Sequence, residues 1–283
     1  MSVKWTRRRA LQAIAGCGAA AIGLYTWRIE PHWLEFTYRD LPIADLPAEM
    51  EGKTLAQMSD VHVGPQVDDA YIVESFTRLQ ELGPDFVAMT GDWVTYHGPA
   101  QLEQLRRVLE KAPHGRIGTV GILGNHDYGF RWDMPQVAER VCTIARDAGF
   151  QMLRNEAARF GGLAMIGVDD LWGPNFRPQA ALAASQGQGL ARIVLCHNPD
   201  AADENVWEGY RGWILAGHTH GGQCKPPFLP PPMLPVKNRR YTSGEFGLSG
   251  GRKMYINRGV GHLLRVRFNA RPEITIFRLT RAA

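Results

Sequence analysis

Two stretches, Thr54-Leu55-Ala56-Gln57-Met58-Ser59-Asp60-Val61-His62 and Phe86-Val87-Ala88-Met89-Thr90-Gly91-Asp92, follow one plan: a short apolar run closed by an acidic residue. Runs this brief suit buried strands better than helices. Between them, Ile72, Phe76 and Leu79 share one face of a helix predicted over 70–82, and Gly83-Pro84 stops it. Strand, helix, strand in that order predicts a layered α/β protein with parallel strands.

The plan continues along the chain. Leu102, Leu105, Leu109 and Ala112 mark a second helix, and Ile117–Leu123 a strand that opens into Gly124-Asn125-His126-Asp127. Val137, Val141, Ile144 and Ala148 form the stripe of a third helix, with Gly149 as its C-terminal cap. Further strands are expected at Leu163–Val168, Ile193–Leu195, Trp213–Ala216, Met254–Ile256 and Ile274–Leu279. No internal repeat is present.

Polar residues gather where these runs end. The clusters are Asp60-Val61-His62, Gly91-Asp92, Gly124-Asn125-His126-Asp127, His197-Asn198 and Gly217-His218-Thr219-His220. One alone would read as a turn or a packed histidine. Five in succession, each closing a buried strand, place carboxylates, imidazoles and a carboxamide at the strand ends where open sheets hold ligands. Such mixed hard-oxygen and nitrogen donors suit a pair of divalent cations better than one structural zinc. Manganese, iron, zinc and magnesium all fit.

With these residues in view, the chain resembles the calcineurin-like metallophosphoesterases, and within them a bacterial branch of exported or membrane-associated phosphodiesterases. The motif order D-x-H, G-D, G-N-H-D, H, G-H-x-H runs from about Thr54 to the C-terminal strand. Gly217 to Gln223, Asn257 to Gly261 and Arg271 to Ile274 add to the likeness. The resemblance implies a four-layer α-β-β-α sandwich of two mixed sheets flanked by helices. It implies one cation on Asp60, His62, Asp92 and His220, another on Asp92, Asn125, His197 and His218, and Asp92 bridging the two. A hydroxide shared by the cations is the implied nucleophile on a phosphate ester, most simply a phosphodiester. His126 matches the histidine that stabilises phosphoryl oxygens or protonates the leaving group, and Asp127 is expected to orient its imidazole.

The first thirty residues read as an address. Thr6-Arg7-Arg8-Arg9-Ala10-Leu11-Gln12 precedes the Gly/Ala-rich run Ala13–Trp27, which looks like a twin-arginine export signal or an N-terminal anchor. The export machinery is therefore an expected partner, and the extracytoplasmic side the expected location. Residues 31–53 read as a connecting segment and 54–281 as one catalytic domain.

Charge narrows the function further. The net charge of +4 is carried by residues 1–30, where Lys4, Arg7, Arg8, Arg9 and Arg28 face Glu30 (5 − 1 = +4). The rest holds 27 basic and 27 acidic residues. A neutral body argues against a nuclease, since nucleic-acid binding leans on a basic surface. Four cysteines without a CxxC pair suggest neither a disulfide framework nor a zinc ribbon. Cys196 and Cys224 read as small packed residues beside the metal motifs.

Pro226–Pro235, apolar and proline-rich, is a loop placed to overhang the cleft, and lipid or membrane contact is one reading of it. A membrane pyrophosphatase of a lipid precursor such as UDP-2,3-diacylglucosamine is the alternative activity, and a non-catalytic scaffold a weaker one. Arg258 is a candidate phosphate contact among turn glycines. His262 reads as a packed histidine.

Overall fold

A computed structural model describes residues 6–185, 190–207 and 209–282; Lys4 lies outside them. Among the described residues, twelve strands form two six-stranded sheets. In chain order the strands are β1 (Glu35–Ile43), β2 (Thr54–Met58), β3 (Phe86–Thr90), β4 (Gly118–Ile122), β5 (Gln151–Met152), β6 (Glu156–Phe160), β7 (Leu163–Gly167), β8 (Ala191–Leu195), β9 (Trp213–Ala216), β10 (Gly244–Gly247), β11 (Lys253–Ile256) and β12 (Glu273–Arg281). The helices are α1 (Arg7–Leu24), α2 (Asp69–Glu81), α3 (Pro99–Leu109), α4 (Pro135–Asp147) and α5 (Pro178–Ala184). The first sheet runs β1-β12-β2-β3-β4-β5 and the second β10-β11-β9-β8-β7-β6.

Side-chain alternation explains the layering. In β3, Phe86 and Ala88 join a core that also holds Leu55 of β2, Ile193 and Leu195 of β8, and Leu215 of β9. Val87 and Met89 point the other way, into a cluster with Ile72, Phe76, Leu105 and Val141 of α2, α3 and α4. Val194 and Ile214 of the second sheet pack against Ala181 and Leu182 of α5. Each central strand is buried on both faces, so its residues read as an unbroken apolar run. The result is the four-layer sandwich.

Gly149 caps α4 as expected, with φ +88° and its N–H donating to Arg146 O. The reading of 31–53 as a mere connection is corrected. Residues 35–43 of that segment form β1, which pairs in parallel with β12 from Glu35↔Glu273 to Ile43↔Arg281. An edge strand with only two of its nine residues buried has no apolar run to announce it. The short strands β5, β6 and β10 and the Ala-rich α5 likewise carry no period that announces them.

A buried carboxylate ties the sheets together beside this edge. Glu273 accepts from Thr37 Oγ1 of β1 and Tyr255 OH of β11, each at 2.6 Å, and from Arg258 Nε at 2.8 Å. Burial opposes its ionisation, but the Arg258 charge and the two hydroxyls hold it below the ordinary glutamate value of 4.5. A depressed carboxylate stabilises the fold above its unfolded pKa and loses that contribution as pH falls through the folded value. Glu273→Gln is therefore expected to cost about 3 kcal/mol at pH 7. Urea unfolding should show the gap between variant and parent narrowing once pH drops below about 4.5.

Candidate metal centre

The site forms where the carboxyl ends of the two sheets meet. β2, β3 and β4 are parallel neighbours, and so are β8 and β9. The residues after them thus emerge on one rim. Asp60 and His62 follow β2, Asp92 follows β3, Asn125 to Asp127 follow β4, His197 follows β8, and His218 and His220 follow β9. All seven expected ligands, Asp60, His62, Asp92, Asn125, His197, His218 and His220, are buried.

The backbone is strained at these positions. Asp60, His62, Asp92, His218 and His220 all have φ between +48° and +72°, the left-handed region that L-residues avoid. Each such residue costs on the order of 1 kcal/mol or more and persists only where its surroundings enforce it. Gly91 shows how tightly the rim is packed. A Cβ there would lie 2.7 Å from both Gly124 N and His197 Nδ1, at a φ of +93°.

Two ligand groups result. Asp60, His62 and His220 converge, as do Asp92, His197 and His218. Nε2 of His62 lies 3.1 Å from Nε2 of His220, and Nε2 of His220 lies 3.3 Å from Asp60 Oδ1. Asp92 Oδ2 stands between the groups, 3.5 Å from His62 Nε2 and 3.1 Å from His197 Nε2. Backbone carbonyls set two of the tautomers. His197 donates from Nδ1 to Thr90 O at 2.7 Å, which turns its Nε2 toward Asp92. His218 donates from Nε2 to Pro235 O at 2.8 Å, which frees its Nδ1.

Electrostatics favour the ligand form at three of the four imidazoles and at Asp92. Burial holds His62 and His220 well below the usual imidazole range and takes His218 to about 3, so all three are neutral at pH 7. Asp92 would be raised by burial, yet His197 and then His126 keep it well below the carboxylate range. Asp60 is pushed up to about 6 by burial, with His197 working against the rise. His197 is itself raised, because Asp92 and Asp60 outweigh its burial.

Residual polarity points to cations. Both side-chain polar atoms of Asn125 are buried without a hydrogen-bond partner. Unpaired buried amides are costly, and natural structures rarely keep them without an ion or water. Carboxylate, carboxamide and neutral imidazole donors around two adjacent points fit two divalent ions. Cys196 is buried beside His197 and Cys224 is half-buried, and neither belongs to the ligand groups.

The expectation for Asp127 is corrected in its detail. Its carboxylate accepts from four backbone N–H groups, those of Asp92, Trp93, Val94 and Gly124, at 2.8–3.2 Å. All its hydrogen bonds among the described residues go to backbone, so it braces the Asp92 and Gly124 turns and does not orient His126. His126 sits at the mouth, half-buried, its ring 5.1 Å from that of His62. Its N–H donates to Asp92 Oδ1 at 2.9 Å. Arg258 is engaged by Glu35 and Glu273, and His262 bonds Gln66 O, so the first is taken up structurally and the second packs as expected.

Three neighbours carried no sequence signal. Trp132, at φ +60°, stacks on Trp172, whose ring meets His218 edge-on at 4.5 Å. Buried Arg267 donates to Arg258 O at 2.9 Å and comes within 3.4 Å of His220 Nδ1. Only the folded chain unites these residues.

Residues 53–222 match the calcineurin-like phosphoesterase family. The chain is 31% identical to phosphodiesterase YaeI of Escherichia coli (strain K12), over 97% of this chain and 99% of that protein. It is 32% identical to the uncharacterized metallophosphoesterase YkuE of Bacillus subtilis (strain 168), over 98% of each. It is 25% identical to the UDP-2,3-diacylglucosamine pyrophosphatase LpxG of Chlamydia trachomatis, over 92% of this chain and 94% of that protein.

Proposed function

Because the chain belongs to the calcineurin-like phosphoesterases and is a metallophosphoesterase, we infer that it hydrolyses a phosphodiester or diphosphate at a binuclear centre on the extracytoplasmic face of a membrane. Two converging ligand groups, with the buried and unpartnered side chain of Asn125 following β4 on the same rim, carry this reading. Asp60, His62 and His220 would hold one cation, Asn125, His197 and His218 the other, and Asp92 both. Bound there, two such ions supply Lewis-acid activation of water and neutralise phosphoryl charge. Asp92 keeps the two groups in register through its single Oδ2. His126, whose ring makes no hydrogen bond among the described residues, is free to donate a proton to the departing oxygen.

Location rests on the N-terminus. Arg7–His32 is long and apolar enough to cross a membrane, and none of its most apolar stretch is buried in the protein. Arg7, Arg8 and Arg9 at its start favour a cytoplasmic N-terminus, which puts the folded body on the other side. Export by the twin-arginine route would deliver the enzyme folded. LpxG, by its name, acts on an acylated diphosphate, which favours a lipid-linked substrate as the second reading.

Chelation tests the core of the proposal. Protein dialysed against EDTA should lose at least about 100-fold of its rate on bis(p-nitrophenyl) phosphate and regain it with manganese. Its melting temperature should rise on reloading, since a ligand at 100 times its dissociation constant adds about 2.7 kcal/mol. Equal rates with and without metal would reject the binuclear reading.

A further inference from the structure

We propose that the loops 223–236 and 263–269 form a docking face for the lipid bilayer, which seats the metal centre against the headgroup layer on the side where α1 leaves the membrane. The proposal rests on the reading of the chain as a membrane-held phosphoesterase and adds the surface that orients it.

Exposure singles these loops out. Beyond residue 32, ten large apolar side chains are conspicuously exposed among the described residues, and five of them lie here: Phe228, Leu229, Met233, Leu264 and Val266. Phe228 is fully exposed, and Leu229, Met233 and Leu264 are more than half exposed. The two loops also present Lys225 and Arg265, both partly exposed, and hold no acidic residue. Apolar side chains set among cations are the composition of segments that enter a membrane interface and meet anionic headgroups. Six prolines between Pro226 and Pro235 restrict the first loop, so little ordering remains to oppose docking.

Connectivity identifies the occupant as the bilayer. The loops are stitched together by Lys225 N–H to Phe268 O and Phe268 N–H to Gln223 O, both at 2.8 Å, while Gln223 Nε2 donates to Leu264 O and Val266 O. The same strip holds the end of the N-terminal helix. Arg267 N–H donates to Thr26 O at 2.9 Å, and Ala270 N–H to the buried Glu30 at 2.7 Å. Trp27 and Ile29, between those two anchoring residues, are half exposed. The helix therefore enters the body at the apolar strip, and a bilayer spanned by the one must lie close to the other. On its far side the first loop reaches the metal centre, where Pro235 O accepts a hydrogen bond from His218 Nε2. A phosphate at the ligands can thus belong to a molecule whose acyl chains never leave the lipid.

The test uses the full chain in nanodiscs containing phosphatidylglycerol. An environment-sensitive fluorophore is placed at Phe228→Cys, with Cys17→Ser and Cys224→Ser removing the accessible thiols, and doxyl-labelled lipids serve as quenchers. A matching probe at Tyr38→Cys, 66% exposed on the β1 edge, serves as the reference. The Phe228 probe should be quenched at least about twofold and blue-shifted, with the Tyr38 probe unaffected. A Phe228 probe as wet as the reference would overturn the proposal. So would one shielded from water yet untouched by the doxyl lipids, the sign of contact between two copies. A second measurement uses Phe228→Ser/Leu229→Ser/Met233→Ser, which should lower the ratio of vesicle-embedded to soluble diester hydrolysis about tenfold. Quenching needs no turnover, so a failure of the phosphoesterase reading would show separately, as loss of soluble hydrolysis in the parent.

Discussion

Asp92→Asn is expected to lower hydrolysis of bis(p-nitrophenyl) phosphate by at least about 1,000-fold and to reduce bound metal from about two ions per chain to one or fewer. The substitution preserves shape. Asp92 Oδ1 accepts the His126 N–H, and an amide oxygen can still do so. What disappears is the negative charge on Oδ2, which lies within 3.5 Å of Nε2 on both His62 and His197. One anionic oxygen placed between two cations lowers their mutual repulsion, and a neutral amide nitrogen in its place cannot. Activity on a chromogenic diester and metal analysis on the same sample give the answer. Two retained ions with a rate within tenfold of the parent would move the bridging role away from Asp92.

The centre was legible because its chemistry is local to strand ends. β2, β3, β4, β8 and β9 are buried on both faces, so each reads as an apolar run, and each is followed within a few residues by a donor. Parallel pairing then brings donors far apart in sequence to one rim. β1 stayed hidden because its stability comes from β12, some 238 residues away, and not from its own pattern. The aromatic wall of Trp132 and Trp172 and the buried Arg267 were hidden for the same reason, since each owes its place to distant partners. Backbone strain was also invisible. Nothing in the letters of Asp60 or His218 says that their φ angles are positive, though aspartate and histidine tolerate such angles better than branched residues.

Asp127 marks the limit of motif reading, and its replacement should separate structure from catalysis. Beside His126 in sequence, it looks like the partner that steers an imidazole. In the fold its two oxygens accept four backbone N–H groups from two turns, and no solvent reaches it. Asp127→Ala should therefore strand several buried donors and cost about 3 kcal/mol or more. The melting temperature and metal affinity should fall together, because the turn that carries Asp92 loses its brace. His126→Gln should do the reverse. It should leave the melting temperature within a degree or two and lower the maximal rate by about 100- to 10,000-fold, flattening the limb of the pH profile that reports the proton donor. The loss at His126 should shrink for a diester with a better leaving group, which needs less help from an acid, while the loss at Asp127 should not depend on the leaving group. If Asp127→Asn kept full stability but shifted the pH profile as His126→Gln does, the carboxylate would be acting through the imidazole after all, and the brace would have to be sought elsewhere in the Gly124 turn.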